Sequence, residues 1–125
     1  MPGALLDSTL RRIEKSASNA LRPFDRYGGV VPDLEWHPLS KSGDGSHEIY
    51  LIRFKPGATS VPHEHTGFEE FMVLDGELTD CDGAVFRAGD FVSYAPGSRH
   101  YSSSAAGCTL LVSLRGGSNR PVELD

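Results

Sequence analysis

Three histidines and one glutamate are the residues of this chain best suited to chemistry. His63 and His65 are separated by a single residue, Glu69 follows on, and His100 comes after a Pro-Gly turn at 96–97. On a β-strand, side chains at i and i+2 point to the same face, so both imidazoles of the pair enter the interior together. If Glu69 and His100 also point inward, the set favours a borderline divalent ion such as Fe, Mn, Co, Ni, Cu or Zn over Ca or Mg, which prefer oxygen.

The alternative is that His63 and His65 are ordinary surface histidines, because two exposed strand histidines produce the same H-x-H pattern. The conjunction with a carboxylate and a third histidine after a second Gly turn makes metal binding the more specific interpretation. Glu70 has the opposite strand parity to Glu69, so we expect it outside. A six-coordinate ion held by four protein ligands would keep two positions for water, O₂ or substrate.

Candidate pocket walls follow from the same parity argument, with plain core packing as the alternative for most of them. The residues expected to share the inner face are Tyr50, Ile52, Phe54, Phe71 and Val73. Ser102 has the parity of His100 and is expected to donate a hydrogen bond near it. Asp80 belongs to a dense acidic set that we expect to be solvated.

The elements that must position these residues are short strands. The chain has 14 Gly and 8 Pro among 125 residues, above the usual share of about 12%. Gly turns at 66–67, 75–76, 82–83, 88–89, 96–97 and 106–107 separate the predicted strands 48–54, 59–65, 69–74, 77–81, 84–87, 91–94, 99–103 and 109–114. This spacing predicts an all-β sandwich or jelly roll.

The N-terminal part has a different pattern. Apolar residues recur at helical spacing over 4–21, with Asp7 or Ser8 as the cap and Pro23 after the end, which predicts a short amphipathic helix. Residues 22–47 are expected to be irregular. The predicted organisation is an N-terminal helical or irregular extension over 1–33, a barrel over 34–116 and a surface tail over 117–125.

Composition excludes several classes of function. The net charge of −5 and sequence pI near 5.5 do not fit a nucleic-acid partner. The apolar runs are too short to span a membrane, and the N-terminus lacks the pattern of a signal peptide. The two cysteines form no disulfide framework, so we expect a cytoplasmic protein whose partner is a small molecule.

Two segments resemble the motifs of the cupin superfamily. Gly57-(x5)-His63-x-His65-(x3)-Glu69-(x6)-Gly76 is similar to the first motif at every fixed position, and segment 89–100 is similar to the second. Ala95 stands where the family has a proline, and Ser104 where it often has an asparagine. Segments 65–78 and 96–100, with the later Gly107-Cys108, resemble the ChrR-like branch. The resemblance covers about residues 34–115.

The resemblance implies an all-β double-stranded β-helix, or jelly-roll, cupin barrel. In it His63, His65, Glu69 and His100 would hold one divalent transition metal, either Fe, Zn, Ni or Mn. The resemblance also implies a homodimer, as for cupins of this size. The apolar stripe of segment 4–21 needs a surface to cover.

Three functions are compatible with this resemblance. The first is a metal-dependent, dioxygenase-type enzyme acting on a small carbonyl or diketone-like molecule. The second is a zinc-bound sensor or regulatory ligand-binding cupin without catalysis, although no Cys precedes position 81 to supply the zinc ligands of a complete anti-sigma factor. The third, a metal-free epimerase or storage cupin, would not need all four ligand types.

Overall fold

Strands dominate the computed structural model, which describes residues 5–123. In chain order they are β1 (Arg22–Pro23), β2 (Leu34–Lys41), β3 (His47–Phe54), β4 (Ala58–Thr59), β5 (His63–His65), β6 (Phe68–Asp80), β7 (Val85–Arg87), β8 (Phe91–Tyr94), β9 (Arg99–His100), β10 (Ser102–Ser104), β11 (Cys108–Arg115) and β12 (Asn119–Pro121). The all-β jelly-roll prediction is confirmed. Among the described residues, no helix is long and apolar enough to cross a membrane.

Two antiparallel sheets build the barrel. The larger has nine strands in the order β1-β2-β3-β11-β6-β10-β4, with β7 and β8 also paired to β6, and the smaller has the order β12-β5-β9. Strands β3, β6 and β11 alternate buried and exposed side chains, as a sheet with one face toward the core requires. The smaller sheet carries His63, His65 and His100.

The turn predicted at 75–76 is wrong, because β6 runs through it. The pairing with β11 shifts from Thr109 opposite Asp75 to Leu110 opposite Val73, so Leu74 is the extra residue of a β-bulge. Gly76 has a φ of 79°, and a Cβ there would lie 2.1 Å from the carbonyl oxygen of Gly107. A glycine is therefore needed for close backbone approach inside one long strand.

The predicted N-terminal helix is also wrong over residues 5–21, and Ala4 lies outside the described residues. The segment contains two single-turn 3₁₀ helices, Ser8–Leu10 and Ser18–Ala20, and Asp7 caps the first by accepting from the Thr9 N–H at 3.0 Å. Leu10 and Ile13 are exposed. A short helix depends on packing of its apolar face. The exposed Leu10 and Ile13 lack such packing among the described residues, whereas Ala17 and Leu21 lie in a cleft with Leu51 and Leu74.

Residues 22–47 are more regular than expected. Strand β2 lies along β3 with Leu34 opposite Phe54 and Trp36 opposite Ile52, and both β2 side chains are buried. A register shift between Pro38 and Ser40 accommodates the proline, which cannot donate to the ladder. The strand adds Leu34 and Trp36 to a core that also contains Phe24 and Tyr50.

Candidate metal centre

The two sheets bring the four predicted ligands together in one buried cluster. His63 and His65 lie on β5, Glu69 begins the inward series of β6, and His100 ends β9, directly opposite His63. One ligand atom from each residue lies within 4.8 Å of the others, and all four residues are buried. The strand parity inferred from i and i+2 spacing is thus the parity that the structure has.

The Nδ1 atom of each histidine faces an acceptor. His63 Nδ1 lies 2.7 Å from the carbonyl oxygen of Val61, and His100 Nδ1 lies 2.8 Å from Asp80 Oδ1. His65 Nδ1 lies 2.7 Å from the hydroxyl of Ser98, which itself donates to the Ala95 carbonyl. Nδ1 must therefore carry the proton in all three rings, which leaves each Nε2 with a lone pair.

These Nε2 lone pairs point at one another and at a carboxylate. His63 Nε2 and His100 Nε2 are 3.2 Å apart, and His65 Nε2 is 2.9 Å from Glu69 Oε2. Within the described chain, His65 Nε2 is buried without a hydrogen-bond partner. Lone pairs at such distances repel unless a cation lies between them, so the donor set fits a divalent transition metal.

The electrostatics of the centre show the same demand for positive charge. Burial raises the pKa of Glu69, but contact with the His63 and His65 imidazoles outweighs it and holds the pKa well below its usual range. Burial lowers the pKa of His63, but the adjacent Glu69 carboxylate outweighs it and raises the pKa. The carboxylate is therefore anionic and draws a cation toward the imidazoles.

Asp80 is a member of this site that the sequence analysis missed. It is buried rather than solvated, and its two oxygens accept from His100 Nδ1 and from the hydroxyl of Tyr94. Burial raises the pKa of Asp80, but the hydrogen bonds from His100 and Tyr94 outweigh it and lower the pKa to about 2. Asp80 lies two positions after the buried Leu78 on β6, so strand alternation alone would have indicated that Asp80 faces inward.

Asn119 is a second missed residue. It belongs to β12, opposite His65, whereas the sequence analysis expected residues 117–125 on the surface. Its Nδ2 donates to Glu69 Oε2 at 2.5 Å, and the residue is buried. A short strand without an apolar pattern carries little sequence signal, so nothing in segment 117–121 indicated this contact.

A cavity of about 40 Å³ lies next to the cluster, with lining that includes His63, Glu69 and His100. Five of the six predicted pocket residues line it: Tyr50, Ile52, Phe54, Phe71 and Ser102. Val73 is buried in the core instead. The cavity also has walls from Phe24, Tyr27 and Leu34, which the sequence analysis did not single out.

The expected role of Ser102 differs from the observed contacts. Its backbone N–H donates to Ser60 Oγ at 2.8 Å, and the Nδ1 of His100 is held by Asp80 instead. Glu70, on the other side of β6, lies outside as expected and contacts Arg115 and Ser93.

Comparison with known proteins places the fold. Residues 26–116 match the family model described as the ChrR Cupin-like domain. An acetylacetone dioxygenase from Acinetobacter johnsonii has a similar structure, with a TM-score of 0.79 at 17% identity over 98% of this chain and 85% of that chain. The polyketide cyclase RemF from Streptomyces resistomycificus has a TM-score of 0.69 at 18% identity, covering 91% of this chain and 88% of that one.

A third similar structure is that of Rhodobacter sphaeroides SigE in complex with the anti-sigma ChrR. Its TM-score is 0.62 at 23% identity, covering 78% of this chain and 51% of that chain. No curated protein matches the sequence. At these identities the structural matches establish the jelly-roll fold.

Proposed function

Because the chain belongs to the ChrR cupin-like domain family, we propose that it is a metal-dependent, dioxygenase-type enzyme acting on a small carbonyl or diketone-like molecule. The observation that carries the proposal is the convergence of three imidazole lone pairs and an anionic carboxylate on one buried point. His63, His65, Glu69 and His100 would hold one divalent transition metal, either Fe, Zn, Ni or Mn.

When bound, the metal supplies Lewis acidity toward a carbonyl or enolate oxygen and, if it is iron, a position for O₂. The protein contributes the rest. The apolar walls at Phe54 and Phe71 exclude water, and Asp80 holds His100 in one orientation. Asn119 holds the Glu69 carboxylate.

The cavity supports a small, largely uncharged substrate. Its lining is mainly aromatic and aliphatic, with Ser60, Ser102 and Asn119 among the polar groups and neither Lys nor Arg in it. A volume of about 40 Å³ corresponds to roughly three water-sized positions. An anionic substrate would have to be neutralised by the metal itself, which favours a chelating carbonyl compound.

The test is oxygen consumption. The protein is loaded with Fe(II) under anaerobic conditions and mixed with acetylacetone and related small diketones in air-saturated buffer. We expect O₂ uptake coupled to loss of the diketone, abolished by Glu69→Gln and retained by Glu70→Gln. Absence of uptake across the panel with Fe, Ni, Mn and Zn would contradict the enzyme.

A zinc-bound sensor or regulatory cupin is the second candidate, supported by the family description. Each imidazole already has its Nδ1 fixed by an acceptor, which suits a tight structural zinc as well as a catalytic metal. Tight zinc after purification, with no O₂ uptake and no ligand perturbing the metal, would favour this candidate over the enzyme.

We also propose a homodimer formed by a second copy of this chain. The outer face of the large sheet carries one apolar row across four paired strands: Leu51, Leu111, Met72 and Phe91. Phe91 is 60% exposed and Leu111 36%, and such a row favours burial against a like surface. Light scattering after size exclusion should give a dimer, converted to a monomer by Leu111→Lys but not by Ser113→Lys on the same strand.

The remaining expectation concerns the compartment. We propose a cytoplasmic protein, which is supported by the free thiols of Cys81 and Cys108. Cys108 is buried, and burial raises its pKa, so this thiol is unreactive.

A further inference from the structure

Asn119 reaches the metal centre from β12, beyond residues 26–116 that match the family model. Its side chain lines the cavity beside Glu69, and only 8% of the residue is exposed. The amide has two ends with different chemistry, and the structure uses only one of them within the described chain. Nδ2 donates to Glu69 Oε2 at 2.5 Å, whereas Oδ1 is buried without a hydrogen-bond partner.

The orientation of this amide is fixed by the charge next to it. Glu69 is a carboxylate and can only accept, so the NH₂ group must face it, and the reverse orientation would place two oxygens against each other. Oδ1 is thus the free end. Buried amide oxygens are nearly always paired in proteins, so an unpaired one in a ligand cavity points to a donor that a ligand supplies.

The backbone around Asn119 is held in place before any ligand binds. Asn119 pairs with His65 across β12 and β5. Arg26 donates to the Asn119 carbonyl at 3.4 Å and to Ser118 Oγ at 2.7 Å, and Glu48 accepts from the same guanidinium at 2.9 Å. The acceptor is therefore preorganised, which lowers the cost of using it for binding.

We propose that Asn119 Oδ1 is a specificity-determining acceptor for a small ligand that carries an O–H or N–H donor next to its metal-binding oxygen. The ligand class is a hydroxylated, enolic or N–H-bearing carbonyl compound. This inference rests on the proposed metal centre and names the class of molecule that this centre takes. A water molecule can supply the same donor, and the test separates the two sources.

The test uses two chelating probes that differ in one donor. Formohydroxamate carries an N–H beside its metal-binding oxygen, and N-methylformohydroxamate does not. Each probe is titrated into Co(II)-loaded protein while the visible absorption of the metal is followed. Its affinity is divided by that of the same probe for Co(II) in buffer. We expect the protein to favour the N–H probe about 2- to 10-fold, the range for one hydrogen bond.

Two variants distinguish the loss of the Asn119 hydrogen bond from a change in the room available to the methyl group of the probe. Asn119→Leu keeps the branched shape and the number of side-chain heavy atoms without polar groups, and Asn119→Ala leaves room for the methyl group. We expect the preference to fall to about 1 in both variants. A preference lost in Asn119→Ala but kept in Asn119→Leu is an effect of methyl fit and overturns the proposal.

The wild-type ratio is a test that needs no variant. Equal affinity for the two probes means that no ligand donor reaches Oδ1, as when water supplies it, and overturns the inference while the metal centre stands. Absence of Co(II) absorption in the wild-type protein refutes the metal centre itself, and the inference with it.

Discussion

The two faces of β5 and β6 treat their carboxylates in opposite ways. On the outer face, Glu64 accepts from Arg99 at 3.2 Å and from Arg120, and Glu70 accepts from Arg115 at 2.9 Å. On the inner face, Glu69 is next to His63 and His65, and the NH₂ group of Asn119 is its one amide contact. Adjacent residues of one type, Glu69 and Glu70, thus meet different partners solely because strand parity alternates.

This difference shows where charge balance is complete within the chain. Hydrogen bonds from arginines lower the pKa of Glu64 and of Glu70, so each outer acid has its counter-charge in the protein. The inner acid faces neutral imidazoles whose lone pairs point toward it. The inner face is therefore incomplete without a cation, and the outer face needs none.

The largest effect should come from removing the inner charge. Glu69→Gln deletes the anionic ligand and should weaken metal binding more than about 100-fold. This exceeds the loss caused by changing a residue that only hydrogen-bonds to a ligand. Titration with Co(II) and competition with a chelator measure the constant. Glu70→Gln is the matched control on the same strand and should bind metal like the wild type; equal losses in both variants would contradict the comparison.

Metal removal should lower the free energy of unfolding by about as much as a 100-fold loss of metal affinity corresponds to. A metal at 100 times its Kd contributes about 2.7 kcal/mol to the folded state, which for a chain of this size raises Tm by about 10 °C. Differential scanning calorimetry with and without a chelator measures the shift. In Glu69→Gln the chelator should leave Tm unchanged, and a chelator-sensitive Tm in this variant would place the metal elsewhere.

A smaller effect is expected from the partner of His100. Asp80→Asn can turn its NH₂ group toward Nδ1, so the imidazole loses its acceptor and its fixed tautomer, and metal affinity should fall about 10- to 100-fold. The Co(II) absorption should also shift, which mere loss of stability would not produce. Asp75→Asn, at an exposed site on β6, is the control; an unchanged affinity and spectrum in Asp80→Asn would remove Asp80 from the site.

The smallest effect should come from the outer ion pairs. Glu64→Gln removes a half-buried carboxylate between the exposed Arg99 and Arg120, and salt screens such pairs at the surface. We expect unchanged metal affinity and a slight fall in Tm that disappears at high salt, measured by thermal unfolding across a salt series. A loss of metal affinity would mean that the two faces are coupled through β5.

The sequence predicted the parts of the site that depend on parity. His63 and His65 lie two positions apart, so their shared face follows from strand geometry, whereas Glu69 lies on the next strand and was assigned through the cupin resemblance. His100 could be assigned through its turn and the cupin resemblance. Glu70 was assigned outside on the same grounds.

What the sequence could not predict depends on tertiary contacts. Asp80 resembles any acid at a strand end until Tyr94 and His100 meet it, and Asn119 lies in a three-residue strand without a pattern. The apolar stripe near Leu10 indicates a helix, but stripes fold as helices only against a surface. The strand at Gly76 resembles a turn because a turn also uses glycine at a positive φ.

The metal content of the purified protein tests most directly whether Glu69 and the three histidines hold an ion. Wild-type protein and its Glu69→Gln and Glu70→Gln variants are incubated in turn with Fe(II), Zn(II), Ni(II) and Mn(II), desalted, and measured by elemental analysis. We expect one ion per chain of at least one of these metals in the wild type and in Glu70→Gln, and almost none in Glu69→Gln. Folded wild-type protein that retains none of the four metals, or equal metal in all three proteins, would contradict this expectation.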